Sequence, residues 1–195
     1  MAWKREKIEA YSDADPIEGC KKGNPYFQEV LYKRFFSFAM SVCIRYTPKT
    51  DDAIEVVNDS FLKVFENISK YDSQKPFKSW FSKILVNTAI DSFRKNLKFQ
   101  VEVSLNGIPD TEEPEPLLNS ELSVNEITSL FTQLPEMHRI TFNLYEIEGY
   151  SHEEIGEMLG VTTSTSRSNL TRAKKMLREL YEKNFNEIKS YHERV

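Results

Sequence analysis

Two helical patterns separated by a glycine occupy residues 150–180. Ser151 stands where a helix N-cap belongs, and Glu154 follows three residues later, which is the spacing of a capping box. Gly160 can adopt the positive φ that ends a helix. The segment therefore predicts a helix, a tight turn and a second helix. In the second helix one face carries the small and apolar residues, at intervals of four, three and four: Ser166, Leu170, Ala173 and Leu177.

The opposite face of the second predicted helix is basic. Residues 162–183 contain six Lys or Arg and two acids, a net charge of +4, whereas the whole chain is −4. A local positive patch on an acidic protein indicates a partner that carries phosphates, although a basic face that is merely solvated has the same composition. A helix-turn-helix of this kind presents its second helix to the major groove of DNA. The outward positions are Arg167, Ser168, Thr171, Arg172 and Lys175.

An acidic segment divides the chain. Residues 99–122 hold three of the eight prolines and six acids, without any Lys or Arg. Proline disrupts helices, and acidic segments of this kind tend to stay extended. The sequence therefore predicts an all-α protein with two small helical domains, residues 1–98 and 123–195, joined by an acidic flexible linker over 99–122. The second domain contains the helix-turn-helix.

Several classes of protein are disfavoured. The chain has no apolar run near the roughly 20 residues that span a bilayer and no apolar region typical of a secretory signal, so we expect a cytoplasmic protein. Cys20 and Cys43 lie far apart and the three His are scattered, so neither a metal site nor a cofactor is predicted. No nucleophile with a base and no phosphate-binding loop is visible. We therefore expect no enzymatic activity and no small-molecule substrate.

The N-terminal half segregates its charge. Residues 49–68 form a predicted helix with net charge −3, whose apolar side is expected to include Leu62 and Phe65. Residues 70–98 have net charge +5 with aromatic residues interspersed, and predict a loop followed by a helix from about Phe77 to Leu97. The linear order is then an acidic helix, a basic aromatic loop and helix, an acidic linker and a basic helix-turn-helix.

This order, with three motifs, resembles the extracytoplasmic-function sigma factors of bacterial RNA polymerase. The resemblance covers nearly the whole chain, and its motifs are DDAIEVVNDSFLKVFENI from Asp51, KPFKSWFSKILVNTAIDSFRK from Lys75, and LPEMHRITFNLYEIEGYSHEEIGEMLGVTTSTSRSNLTRAKKML from Leu134. It implies an alternative sigma factor that binds core RNA polymerase and directs initiation at promoter DNA. Such a factor recognises minus-thirty-five and minus-ten elements and melts the latter. An anti-sigma factor and a linker that runs through the RNA exit channel are further implications of the resemblance, and an ordinary solvated tether is the alternative for the linker.

The resemblance also assigns residues in the first domain. The acidic helix resembles the one that docks on the clamp helices of the largest polymerase subunit, through Asp51, Asp52, Glu55 and Asp59. The minus-ten contacts it implies, which include a pocket for a flipped base, are Lys63, Tyr71, Asp72, Asn87, Thr88, Arg94 and Lys95. Three alternatives stay open: Asn87 could bond inside the helix bundle, Trp80 could be a core residue, and Asp91 could pair with basic neighbours in its own helix.

In the second domain the resemblance implies contacts with the minus-thirty-five element. Ser164 and Thr165 suit phosphates near the helix N-terminus. Base edges are expected to meet Arg167, Ser168, Thr171 and Arg172, while Lys174, Lys175 and Arg178 meet phosphates. Two departures leave the promoter sequence open, because position 166 is Ser where many relatives have Val and position 169 is Asn where a base is frequent.

Two other functions remain open from the sequence. A helix-turn-helix regulator that binds duplex DNA without polymerase would explain the second domain but would leave the acidic helix and the aromatic loop without a role. A helical adaptor would require no nucleic acid at all, and its affinity for DNA would depend only weakly on salt.

Overall fold

A computed structural model describes the backbone of residues 14–47, 49–105 and 130–192, and the side chains of 15–47, 49–97 and 130–183. Contacts divide the chain into two compact units, Met1–Glu102 and Val103–Val195. Every regular element in these ranges is helical, which confirms the predicted all-α class. No helix among them has the length and apolar character to cross a membrane.

The described residues of the N-terminal unit form four α-helices. They are α1 (Ala14–Lys21), α2 (Pro25–Cys43), α3 (Thr50–Asn67), which continues into a 3-10 turn (Ile68–Lys70), and α4 (Phe77–Leu105).

The boundary between α1 and α2 follows from three consecutive residues. Gly23 has a φ of 70°, a conformation that favours glycine, and lies just after the end of α1. The side chain of Asn24 accepts a hydrogen bond from the backbone N–H of Tyr26 at 3.0 Å and caps α2. Pro25 then occupies the first helical position, where its missing N–H costs nothing. From the sequence alone, Gly23 predicts the end of one helix and Asn24-Pro25 the start of the next, and the structure has both.

An aromatic core joins α2, α3 and α4. Phe61 of α3 lies 4.9 Å from Phe81 of α4 and 4.6 Å from Tyr32 of α2, measured between ring centroids. Phe35 of α2 lies 4.8 Å from Phe77 at the start of α4. Burial of each such ring contributes about 1.5–3 kcal/mol, so these contacts fix how the three helices pack.

Helix α4 is longer than the sequence indicated. The predicted end was near Leu97, with a linker from residue 99, but the helix continues to Leu105. Neither Pro nor Gly occurs between Phe77 and Leu105, and the first such residue is Gly107. The three prolines on which the linker prediction rests fall in residues 106–129, which lie outside the described part of the chain.

The C-terminal unit is described from residue 130. The sequence also predicts a helix over 123–133, and of its described residues 130–132 are helical. They are followed by α5 (Glu136–Phe142), a π turn (Asn143–Ile147), α6 (His152–Leu159) and α7 (Thr163–His192). Helix α7 packs against both α5 and α6. The core of the unit includes Ile140, Leu144, Ile155 and Ala173, all fully buried, and Leu159 and Leu170, both nearly so. The sequence predicts for this core Ile127, Leu130, Phe131, Ile140, Phe142 and Leu144; Ile140 and Leu144 are confirmed, and Ile127 lies outside the described residues.

Candidate nucleic-acid interface

The start of α6 and the turn after it have the predicted geometry. The Ser151 hydroxyl accepts from the Glu154 backbone N–H at 3.2 Å, and the Glu154 carboxylate accepts from the Ser151 N–H at 2.8 Å. This capping box holds the pKa of Glu154 below its usual value, because hydrogen bonds from Ser151 favour the ionised carboxylate. Gly160 ends the helix with a φ of 68°. The predicted helix, turn and helix are therefore confirmed.

Helix α7 has one buried and one exposed face. Thr162 precedes it and accepts from the Thr165 N–H at 3.1 Å, which caps the helix. Ser166 and Ala173 are completely buried and Leu170 nearly so, while Leu177 is half-buried. The residues predicted to face DNA are all exposed: Ser164, Thr165, Arg167, Ser168, Thr171, Arg172 and Lys175.

The hydroxyl groups on the exposed face of α7 already bond within the helix. Ser168 donates to the Thr165 carbonyl at 2.9 Å, and Thr171 donates to the Arg167 carbonyl at 3.0 Å. Each oxygen keeps lone pairs for a donor on a base, whereas donating to a phosphate requires breaking the helix bond. The guanidinium groups of Arg167 and Arg172 are consequently the donors on this face that are best placed to recognise a base.

The cations of α7 have weak acidic partners in the same unit. The Arg167 guanidinium lies 3.6 Å from the Glu153 carboxylate of α6, with both side chains about two-thirds exposed. The Lys174 ammonium lies 2.6 Å from the Glu146 carboxylate of the π turn. Exposed pairs of this kind contribute roughly 0–1 kcal/mol, so phosphates can displace the carboxylates.

Ser166 and Asn169, the two residues of α7 that differ from many relatives, are both buried. Asn169 is only 6% exposed, and its side-chain nitrogen has no hydrogen-bond partner among the described atoms, so this residue is not on the base-reading face. Ser166 is completely buried, and its hydroxyl lies 2.9 Å from Nδ1 of His152 in α6. His152 was not predicted from the sequence. A polar residue on the buried face of α7 was the available signal that a partner must lie opposite.

The acidic helix α3 exposes the predicted carboxylates. Asp51, Asp52, Glu55 and Asp59 are exposed, opposite a side where Val57 and Val64 are completely buried. Leu62 was predicted on the apolar side, and this was wrong, because its side chain is 60% exposed. Residue 62 follows positions 55 and 59 by seven and three residues, which places it beside them on a helix with 3.6 residues per turn. An exposed leucine therefore lies within the acidic face.

A cavity of about 320 Å³ opens between α3 and α4. Three of the predicted pocket residues line it: Lys63, which is partly exposed, Asn87, which is exposed, and Thr88, whose hydroxyl donates to the Ile84 carbonyl. Trp80 also lines the cavity and is half-buried, so its ring is both a core contact and part of the wall. The remaining lining residues, not identified from the sequence, are Asn67, Lys70 and Ile84.

Tyr71 and Asp72 belong to the adjacent loop and not to the lining of this cavity. Tyr71 is 7% exposed, its hydroxyl donates to the Lys75 carbonyl, and its ring lies 5.2 Å from that of Trp80. Asp72 accepts from the Gln74 backbone N–H at 3.0 Å, which closes the loop. Their predicted contact with a base stays a prediction, and the contacts described here are structural.

Arg94 and Lys95, two basic residues ten or more positions before the end of α4, are exposed. Asp91, for which the sequence allowed a pair within α4, instead accepts a hydrogen bond from the Lys63 ammonium of α3 at 3.2 Å. This pair joins the two helices at the cavity. Within the described part of the chain, no group of three or more His, Cys, Asp or Glu side chains could hold a metal ion.

Two family models match the chain, and both describe the same family. Sigma-70 region 2 matches residues 31–98, and Sigma-70 region 4 matches residues 125–177. RNA polymerase sigma factor SigV of Bacillus subtilis is 33% identical over 147 residues, which cover 74% of this chain and 82% of that protein. The chain belongs to the sigma-70 family. It is an extracytoplasmic-function sigma factor.

Further comparisons agree with this assignment. The ECF RNA polymerase sigma-E factor of Escherichia coli is 26% identical over 180 residues, covering 87% of this chain and 94% of that protein. The crystal structure of the sigma factor RpoE from Bartonella quintana, in complex with the anti-sigma factor NepR, has a TM-score of 0.50 and 21% identity. It covers 79% of this chain and 96% of that one, which shows a shared fold. This sigma factor is thus a transcription initiation factor and not an enzyme by itself.

Proposed function

We propose that this sigma factor binds core RNA polymerase in the bacterial cytoplasm, recognises the minus-thirty-five element through α7, and captures a base of the melted minus-ten element between α3 and α4. The observation that carries the proposal is the cavity lined by Lys63, Asn87 and Thr88. A conventional duplex-binding regulator does not require such a cavity, in which Trp80 and Ile84 lie beside basic and amide side chains, whereas a protein that melts DNA needs a site for an unstacked base.

At the upstream element the exposed face of α7 supplies both readout and affinity. Arg167 and Arg172 are both exposed, about 140° apart around the helix at the two edges of its exposed face, and can each make bidentate contacts with guanine. Lys175 and Arg178, one and two turns further along, suit phosphates. Ser164 and Thr165 lie in the first turn, where backbone N–H groups favour an anion.

At the downstream element the cavity favours single-stranded over double-stranded DNA. Melting requires this difference in affinity, because only a ligand that binds one state better shifts the equilibrium. The exposed Asn87 amide offers donors and an acceptor to a base edge, and the half-buried ring of Trp80 offers a stacking surface. Lys63 and Lys70, with Arg94 and Lys95, can hold the phosphates of the displaced strand.

The exposed side of α3 is the proposed polymerase-binding surface. Its four carboxylates, at positions 51, 52, 55 and 59, would complement a basic helical partner and steer association. Leu62, about one turn beyond Asp59 on the same face, would be the apolar anchor, since interfaces concentrate their binding energy in a few buried side chains.

An anti-sigma factor is the proposed inhibitor. The support is the Bartonella quintana sigma factor RpoE, whose structure was solved in complex with the anti-sigma factor NepR. Affinity purification of the full chain from its native cells should recover such a partner at a fixed ratio. Recovery of core polymerase subunits alone would contradict this part of the proposal.

Run-off transcription tests the whole proposal. Purified core polymerase, the full chain and a library of genomic fragments should yield discrete start sites that appear only when the chain is added. Alignment of those sites should give two conserved elements. An active core polymerase that yields no chain-dependent transcripts, together with specific duplex footprints by the chain alone, would instead support a conventional regulator.

A further inference from the structure

His152 connects α6 to the buried side of α7. Its Nδ1 lies 2.9 Å from the hydroxyl of Ser166, and that serine is completely buried. A hydroxyl can donate or accept, so the contact is satisfied in either neutral tautomer of the imidazole. It is a directional, polar contact between two helices that pack against each other and also bury apolar side chains, among them Ile155 in α6 and Leu170 in α7.

Two neighbouring features hold the imidazole in place. The ring of Tyr145, in the π turn, stacks on it with centroids 4.4 Å apart and planes 20° from parallel. The capping box between Ser151 and Glu154 fixes the backbone at the first turn of α6, where His152 is the first helical residue. The position of the ring is therefore defined by residues outside α7.

The position of Ser166 in α7 gives this contact its functional meaning. Ser166 directly precedes Arg167, and Arg172 lies on the exposed face less than two turns further along. A rotation of α7 about its axis would move both guanidinium groups relative to a base edge. Apolar contacts permit such a rotation more readily than a hydrogen bond, because they have no directional preference.

We propose that His152 is a positioning residue for DNA recognition: its ring, supported by Tyr145, holds the buried Ser166 hydroxyl and thereby sets the rotation of α7. This inference rests on the proposed function of α7 in reading the upstream element. It assigns His152 no contact with DNA.

The test is a double-variant cycle of His152→Phe and Ser166→Ala in the full chain with core polymerase. Phe keeps a ring on Tyr145 without the nitrogen, and Ala removes the hydroxyl without adding volume. Thr141→Val is the matched control, because Thr141 is also completely buried but donates within its own helix, to the Met137 carbonyl at 2.7 Å. Two quantities are measured: the thermal midpoint of the free chain, and the ratio of transcripts from two templates that differ only in the upstream element.

If His152 is a positioning residue, the thermal midpoint and the transcript ratio should respond differently to these variants. Each single variant should lower the transcript ratio about 2–10-fold, the effect of one net hydrogen bond. Their combination should recover part of the thermal midpoint, because no buried polar group is left unpaired, but should leave the ratio low. The control variant should lower the midpoint and leave the ratio unchanged.

Other outcomes overturn one claim or the other. Single variants that unfold earlier but discriminate like the parent would show that the contact only stabilises the unit, and the inference would fail. A parent protein that transcribes both templates equally would overturn the proposed role of α7 itself, whatever the variants do.

Discussion

Truncation of Leu62 to alanine should weaken binding to core polymerase and leave the fold intact. Complete burial of a leucine contributes about 1.5–3 kcal/mol, and 60% of this side chain is still exposed in the free protein. Docking can therefore gain about 1–2 kcal/mol from it, most of which the alanine variant loses. The dissociation constant for core polymerase should rise about 5–30-fold. The free energy of unfolding should change by less than about 0.5 kcal/mol, because the side chain makes few contacts within the unit.

The assay is a fluorescence titration of labelled full chain with core polymerase, accompanied by chemical unfolding of the free protein. Leu97→Ala is the matched control, since Leu97 is also exposed, at 40%, but belongs to α4 and lies outside the acidic face. We expect the control to bind like the parent. A Leu62→Ala protein whose dissociation constant stays within about twofold of the parent's would refute the reasoning that α3 buries this residue against polymerase.

Three further changes test other parts of the structure. Arg172→Ala should cost about 1–3 kcal/mol of discrimination at one position of the upstream element, measured by run-off transcription from single-base promoter variants; an equal loss on all of them would indicate a phosphate contact instead. Gly19→Ala should destabilise the chain by about 1–3 kcal/mol in urea, although alanine favours helices, because the new Cβ would lie 2.2 Å from Cγ of Phe27; an unchanged midpoint would contradict this packing. Desolvation, and secondarily the charge of Arg172, lower the pKa of His138 below its usual value of about 6.5, so the neutral form is favoured in the folded state. The free energy of unfolding should therefore be highest above the unfolded pKa of about 6.5 and fall as the pH drops through the folded pKa. In urea unfolding between pH 7.5 and 5.5, the free energy of the His138→Gln variant should change less with pH than that of the parent.

Local signals in the sequence were sufficient for the helix boundaries that depend on them. Asn24 and Ser151 act as caps and Gly160 supplies a positive φ, and each effect depends on residues no more than a few positions away. The two faces of α7 likewise follow from helical periodicity. These features were predicted because their causes are local.

Features that depend on contacts between helices were missed or only partly predicted. Leu62 is a different case, because helical periodicity alone places it beside Glu55 and Asp59, and its apolar character led to the wrong prediction. Asp91 has basic neighbours in its own helix, but its partner is Lys63 in another. The bond between His152 and Ser166 joins residues fourteen positions apart and has no local signature. Such pairs become visible only when packing is known.

Two consecutive residues of α3 belong to the two surfaces proposed for this unit, the polymerase-binding face and the cavity. Leu62 points outward from the acidic face, while the next residue, Lys63, lines the cavity and is tied to α4 through Asp91. A helix backbone is stiff over one peptide bond, so a docking partner that shifts the backbone at Leu62 also shifts it at Lys63. If α3 docks as proposed, a shift of this helix on polymerase binding would also move Lys63, which lines the cavity. The affinity of the cavity for an unstacked base would then depend on whether polymerase is bound.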